Sequence, residues 1–160
     1  MPRSQKSAGF TLIELMVVVA LVVIFTTIAL PSFNSMITNS RLQATNNELY
    51  SLLQFARSTA VENNTTRLIC ITSTQLMVKT ACTDTTSLRT MEKPSGVDIA
   101  SSATSITFRS NGTAASTVSL VACKGNSTAN GYKLTVLASG FIRQNPRGQD
   151  GSATLSSCTP

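Results

Sequence analysis

The feature that most constrains this 160-residue chain is an almost unbroken apolar run near its start, GFTLIELMVVVALVVIFTTIALP, from Gly9 to Pro31. About 20 apolar residues can cross the hydrocarbon core of a bilayer as a helix, whereas the apolar region of a secretory signal peptide is shorter. Arg3 and Lys6 precede the run, and the positive-inside bias therefore favours a cytoplasmic N-terminus. We predict a transmembrane helix over residues 10–30, with the rest of the chain outside.

One carboxylate, that of Glu14, interrupts this apolar run. An unpaired carboxylate inside a bilayer costs a few kcal/mol, and no cation lies within the run to pair with it. The nearest cations are Lys6 and Arg3 in the preceding turns. The simplest interpretation of the residues alone is that Glu14 reaches the membrane surface beside Lys6.

Composition excludes several classes of catalyst. The chain has no histidine and no tryptophan, which removes every catalytic scheme that needs an imidazole and also the commonest zinc ligand. Its net charge of +6 is spread along the sequence rather than clustered as on a dedicated nucleic-acid binder. We therefore predict that the protein is not an enzyme and that it has neither a cofactor nor a metal site.

A second helical stretch follows the apolar run. Pro31 removes a backbone hydrogen bond and should bend the helix, but apolar residues continue at steps of three and four. Polar residues are predicted to fill the opposite side of the helix, and they include Asn39, Arg41 and Asn46. Because the apolar stripe fades at Asn63 and Asn64, we predict one long helix over residues 10–63.

The remainder of the chain, residues 64–160, has the pattern of a β-rich globular domain. Short runs of alternating or β-branched residues are separated by turn signals, which favours an antiparallel sheet or sandwich. The predicted strands lie at 67–71, 75–79, 105–109, 117–123, 132–137 and 141–143, and the segment 84–102 reads as a loop. The predicted fold class is therefore α+β, with a long N-terminal helix whose second half packs on this domain.

Four cysteines follow the apolar run: Cys70, Cys82, Cys123 and Cys158. An oxidising compartment outside the membrane favours disulfides, and four cysteines allow three pairings. We favour Cys70–Cys82 and Cys123–Cys158 because each bond closes a self-contained loop. The chain-entropy estimate of their stabilisation is roughly 3 kcal/mol for the first bond and roughly 4 kcal/mol for the second.

The start of the chain closely resembles a known processing signal. A basic leader, the small residues Ser7 and Ala8, and the string GFTLIEL (Gly9–Leu15) are similar to the class III signal of type IV prepilins and type II secretion pseudopilins. The resemblance implies that prepilin peptidase cleaves between Gly9 and Phe10, removing residues 1–9, and that Phe10 is N-methylated. It also implies that Glu14 faces the positive amino terminus of a neighbouring subunit, so that Glu14, with Pro31, serves filament assembly.

Three later pieces resemble the GspH/FimT family of minor pilins and pseudopilins. They are the helical segment Leu49–Val61 with Ala56-Arg57-Ser58, the F-x-x-x-G turn at Phe108–Gly112, and the late segment Ser139–Arg143. The leading interpretation is a FimU-like minor pilin that primes assembly of a type IV pilus, with the pilus tip as one location. Its partners would be the major pilin and other minor pilins. It would lie in the inner membrane before assembly and in a cell-surface pilus afterwards.

Two alternatives stay open. A DNA-binding minor pilin of the FimT type, serving DNA uptake, would use a G-R-x-R stretch, but here the first arginine of that stretch is replaced by Phe141. The candidate DNA contacts that remain are Arg143 and Arg147, with Lys124 or Lys133 near them. The other alternative is a type II secretion pseudopilin, which the same N-terminal signal would also serve.

Overall fold

The structure, a computed structural model, describes residues 9–160 apart from the side chains of residues 28–32. The leader cations Arg3 and Lys6 lie outside the described residues, as do the side chain of Pro31 and those at the end of the predicted transmembrane segment. The chain divides into two compact units, Met1–Ile37 and Thr38–Pro160. Helix α1 (Leu12–Glu62) begins in the first unit and ends in the second, and no break in the helix occurs at Pro31.

In the first unit, the described apolar side chains of α1 are exposed. Leu12, at the beginning of the helix, is 77% exposed, and Phe25 is 70% exposed. Within the part of the chain that the structure describes, no helix is both long enough and apolar enough to cross a membrane.

In the second unit, α1 buries one stripe of side chains at steps of three and four. The buried set consists of Leu42, Thr45, Asn46, Leu49, Leu52, Leu53, Ala56 and Ala60. The prediction that Asn46 lies on the polar side of the helix is wrong, because only 1% of this residue is exposed. Asn46 is four residues after Leu42 and three before Leu49, so helical periodicity places it in the stripe despite its polarity.

The helix ends in a Schellman motif at the predicted stop. Asn64 has the left-handed φ of 49°, the N–H of Thr65 donates to the Ala60 carbonyl at 3.0 Å, and the N–H of Asn64 donates to the Val61 carbonyl at 3.1 Å. Asparagine tolerates this backbone conformation better than other non-glycine residues do. The motif turns the chain from α1 into the first strand.

Ten short strands follow in the described part of the chain, and all their pairings are antiparallel. They are β1 (Arg67–Ile71), β2 (Gln75–Lys79), β3 (Arg89–Glu92), β4 (Asp98–Ser101), β5 (Ser105–Phe108), β6 (Val118–Cys123), β7 (Tyr132–Val136), β8 (Ile142–Gln144), β9 (Gln149–Asp150) and β10 (Ala153–Thr154). One sheet has the order β3-β2-β1-β5, a second has the order β4-β6-β7-β8, and β9 and β10 form a hairpin. The predicted α+β class is confirmed.

The segment 84–102, which we predicted to be a loop, contains strands β3 and β4 instead. Each strand has four residues and one large apolar side chain, Met91 in β3 and Ile99 in β4. Met91 pairs with Leu76 of β2, and Ile99 pairs with Ala122 of β6. A single large apolar residue in four gives no detectable alternation, so the local pattern does not reveal these strands. They form because of their pairing with distant strands.

Strand β6 contributes to two buried clusters because its side chains alternate between the faces of its sheet. Val118, Leu120 and Ala122 pack in the main core with the buried stripe of α1. Val121 and Cys123 face the other way and form a smaller cluster with Leu155. The C-terminal segment therefore covers part of the outer face of this sheet, the face that points away from α1.

The disulfides have the pairing that the loop-closure argument predicts. Cys70 is bonded to Cys82 and Cys123 to Cys158, with Cα–Cα distances of 5.6 and 5.9 Å. The first bond ties β1 to the segment after β2. The second bond fixes the C-terminal segment at the end of β6.

Removing the disulfide that closes the longer loop should cost more stability than removing the disulfide that closes the shorter loop. We expect Cys123→Ser/Cys158→Ser to lower the free energy of unfolding of the Thr38–Pro160 unit by about 4 kcal/mol, and Cys70→Ser/Cys82→Ser by about 3 kcal/mol. The sequence separations of 35 and 12 residues set this order. Urea unfolding of the two double mutants measures it, and a larger loss for the shorter loop would contradict the loop-length account.

Candidate functional site

The beginning of α1 gives Glu14 a local role. Thr11 directly precedes the helix, and the backbone N–H of Glu14 donates to Thr11 Oγ1 at 3.3 Å. Thr-x-x-Glu is the sequence pattern of a capping box, and a carboxylate in the first turn is favourable near the positive end of the helix dipole. This capping role was missed in the sequence, although the spacing of Thr11 and Glu14 signals it.

The surroundings of Glu14 are apolar and open. Phe10 is 85% exposed and Ile13 is 68% exposed. Among the residues that the structure describes, the one ion pair is Lys133–Asp150, so Glu14 has no described cation as a partner. The beginning of the helix therefore presents a carboxylate within an exposed apolar surface.

The three sequence pieces that resemble the GspH/FimT family meet at one point of the second unit. Arg57 of α1 donates a hydrogen bond from Nε to the carbonyl oxygen of Gly112, at 3.0 Å. Gly140 packs on the same carbonyl group, since a Cβ added there would clash with the Gly112 oxygen and lie 3.2 Å from Arg57 Nε. We call Arg57, Gly112 and Gly140 the motif junction.

Backbone conformation explains why two members of the motif junction are glycines. Gly112 has φ +79° and Gly140 has φ +81°, in the region that side chains rarely adopt. Each closes a tight turn, because the N–H of Gly112 donates to the Arg109 carbonyl and that of Gly140 donates to the Leu137 carbonyl, both at 2.8 Å. The junction thus joins the helix to the β5–β6 and β7–β8 connections.

A cleft of about 550 Å³ adjoins the motif junction. It is lined by Gln54, Arg57, Ser58, Val61, Glu62, Asn111 and Gly112. Val61 in this cleft is 50% exposed, and Phe141, which follows Gly140, is 57% exposed. The cleft thus combines exposed Val61 with polar side chains, a guanidinium and the Glu62 carboxylate, a mixture that suits contact with another protein surface.

The candidate DNA contacts are divided between two surfaces. Arg143 is exposed on β8 and pairs with Thr135, so it shares the outer face of the sheet with Lys133, two residues before Thr135 on β7. Lys133 Nζ is paired with Asp150 Oδ2 at 2.6 Å, which neutralises its charge. Lys124 lies against the helix instead and donates from Nζ to Thr38 Oγ1 at 3.0 Å.

Arg147, the fourth candidate, is exposed in the turn that follows β8. The N–H of Gln149 donates to the Pro146 carbonyl across this turn, at 3.1 Å. The structure thus brings Arg143 and Lys133 to one face and places Lys124 elsewhere. In the described residues no group of three or more histidine, cysteine, aspartate or glutamate side chains could hold a metal ion.

Two family models match the chain. The model described as type II transport protein GspH matches residues 45–140, more than half of the chain, and the one described as the prokaryotic N-terminal methylation motif matches residues 4–30. No curated protein matches this sequence. The first match spans all three members of the motif junction.

Two solved structures resemble the chain, and both are of the type IV minor pilin FimU from Pseudomonas aeruginosa strain PAO1. In one crystal form the TM-score is 0.64 at 22% sequence identity, with 74% of this chain and 96% of that chain covered. In the other the TM-score is 0.63 at 23% identity, with 73% and 99% covered. This likeness shows the fold that the two proteins share.

Proposed function

The chain belongs to the GspH family, and on that basis we propose that it is a minor pilin that initiates or extends a type IV pilus. The observation that carries the proposal is the combination of an N-terminal methylation motif at residues 4–30 with a GspH unit at residues 45–140. The first implies a processed, membrane-anchored precursor, and the second a globular unit of the kind that such precursors carry. The resemblance to the GspH/FimT family is thereby confirmed at the level of the family.

Insertion into a filament would begin with processing. Cleavage before Phe10 leaves a free amino group four residues from Glu14 and two from the beginning of α1 at Leu12. The removal of Arg3 and Lys6 with the leader also removes the nearest cations from Glu14. Amino termini are then the remaining cations near the mature carboxylate, and in an assembled filament the amino terminus of a neighbouring subunit would be its counter-ion.

An ion pair between Glu14 and a neighbouring amino terminus would also fix the position of the helix along its neighbours. An ion pair in a medium of low dielectric constant is strong only at short range, so sliding the helix along its neighbours loses the contact. Exposed apolar side chains such as Leu15 and Val19 would supply the remaining adhesion. The first unit would thus be the part of the protein that assembles.

The second unit is built to present a fixed surface. Its core joins the helix to both sheets, two disulfides close its loops, and the motif junction fixes the two connections beside the end of α1. A rigid unit loses little conformational entropy when it docks on a neighbour. We infer that its surfaces contact other minor pilins and the major pilin.

A pilus is preferred over a secretion pseudopilus because the solved structures that share the fold are those of a type IV minor pilin. The two disulfides are compatible with either location, since both are oxidising. DNA uptake has less support, because Asp150 neutralises Lys133 and Lys124 lies against the helix.

The test is to shear surface filaments from the producing cells and identify this chain in them by mass spectrometry. We expect a mature form that begins with N-methylated Phe10, at a small fraction of the amount of the major pilin. Absence of the chain from filaments, with its full amount in the membrane, would contradict the proposal. Loss of protein secretion in a strain lacking the chain, with normal pili, would instead identify it as a pseudopilin.

A further inference from the structure

A second cleft of the Thr38–Pro160 unit, separate from the motif junction, is lined by side chains that share one functional group. It has a volume of about 280 Å³ and lies between α1 and the β7–β8 part of the second sheet. Five of its residues carry a carboxamide: Gln43, Asn46, Asn47, Gln144 and Asn145. We call it the carboxamide cleft.

Asn46 is the residue of this cleft that the fold leaves unsatisfied. It is 1% exposed, and its Oδ1 is buried without a hydrogen-bond partner among the described residues. Buried polar atoms almost always have a partner, and each exception calls for an explanation. Asn46 also lines the cleft, so a ligand there would lie beside a carboxamide whose hydrogen-bonding capacity the fold leaves partly unused.

Two of the other carboxamides are hydrogen-bonded to each other, and the backbone of a third residue is fixed by the sheet. Gln144 donates from Nε2 to Asn47 Oδ1 at 3.3 Å, which links the sheet to the helix. Asn145 is 5% exposed, and its backbone N–H donates to the Lys133 carbonyl at 3.0 Å. Polar groups that are fixed before binding lose little entropy when a ligand arrives.

The chemistry of the lining restricts the ligand. No residue that lines the cleft is charged, which disfavours phosphate, carboxylate or ammonium ligands. A purely apolar ligand would remove the carboxamides from water without replacing their hydrogen bonds. Carboxamides both donate and accept, so they match hydroxyl groups, which do the same.

Two rings complete the lining. Tyr132 is half-buried and Pro146 is exposed, and each offers a flat apolar surface beside the carboxamides. A sugar ring has this combination of a hydroxylated rim and apolar C–H faces. The cleft is slightly smaller than sites for drug-sized ligands, which start at about 300 Å³. Its size therefore suits one sugar unit.

We propose that the carboxamide cleft binds a single unit of a neutral glycan. It would be an additional binding site that does not depend on the N-terminal assembly surface. The affinity for one unit would be weak, with a Kd on the order of 1 mM, because few atoms are in contact. Several copies of the chain would bind a polymeric glycan more tightly than one copy does.

The test uses the full-length protein, labelled with nitrogen-15, in micelles of a zwitterionic detergent without a sugar head group. Glucose and N-acetylglucosamine are the sugar probes, N-acetylglycine methylamide is the peptide-bond probe, and inorganic phosphate is the anion probe. We expect saturable shifts of the side-chain amide signals of Gln43, Asn46 and Asn145 with a sugar probe. Saturation by the peptide or phosphate probe alone, or by none of the probes, would overturn the proposal.

Variants separate binding from folding. Asn46→Leu should weaken sugar binding at least tenfold and raise the melting temperature, because it removes an unpartnered buried oxygen. Gln43→Ala alters an exposed residue and should weaken binding several-fold without changing the melting temperature. Gln54→Ala, on the same helix but outside the cleft, is the matched control and should bind as the wild type does. Unchanged sugar binding by both cleft variants would contradict the proposal.

Discussion

Replacing Glu14 by glutamine should exclude the chain from the filament while leaving its insertion in the membrane intact. Glutamine keeps the capping-box pattern with Thr11 but loses the charge that pairs with a neighbouring amino terminus. The variant leaves the ammonium of the neighbouring amino terminus without a counter-ion in apolar surroundings, and removing one partner of a buried ion pair costs roughly 3 kcal/mol or more. Since each 1.4 kcal/mol is about a factor of ten, recovery of the Gln variant in sheared filaments should fall at least about tenfold. Quantitative immunoblots of the filament and membrane fractions measure the effect.

Two control variants separate the charge of Glu14 from its capping role. Thr11→Ala removes the side-chain cap and retains the carboxylate, so it should assemble nearly as well as the wild type. Glu14→Ala removes the carboxylate but keeps the backbone N–H that donates to Thr11, and it should assemble as poorly as Glu14→Gln. If Glu14→Gln were recovered in filaments like the wild type while Thr11→Ala was not, Glu14 would act through the helix end rather than through its charge.

Replacing Gly140 by alanine should destabilise the second unit more than replacing Gly96 by alanine does. The added Cβ would clash with the carbonyl oxygen of Gly112, which also accepts the Arg57 hydrogen bond, and the φ of +81° is strained for alanine. Strain and overpacking together should lower the free energy of unfolding by roughly 3 kcal/mol or more. Urea unfolding of the Thr38–Pro160 unit measures this loss.

Gly96 provides the matched control for that experiment. Its φ is +78°, close to that of Gly140, but a Cβ added at Gly96 would have no atom within 4 Å. Gly96→Ala should therefore show the backbone strain alone, about 1 kcal/mol. Equal losses for the two variants would mean that the close contact at the motif junction contributes nothing to stability.

Local patterns predicted the parts of the fold in which neighbouring residues determine structure. The helix, predicted over 10–63, is found at Leu12–Glu62, and its end follows from the left-handed tolerance of Asn64. Strands with strong alternation were located to within one or two residues, as β6 and β7 show. The disulfide pairing followed from loop closure alone.

Features that depend on contacts distant in sequence were not predicted. Strands β3 and β4 exist because of their partners, and Asn46 was assigned by its polarity instead of its position in the helical stripe. The three motif pieces could be recognised separately, but nothing in their spacing shows that Arg57, Gly112 and Gly140 are in contact. Likewise, the pairing of Lys133 with Asp150 required the position of β9.

The most direct measurement of the central claim is the number of surface pili on cells that lack this chain, with protein secretion assayed in the same cells. Our account predicts few or no pili and normal secretion, with pili restored by the wild-type chain but not by Glu14→Gln. Normal numbers of pili, or restoration by the Gln variant, would contradict a role in assembly that acts through the N-terminal carboxylate.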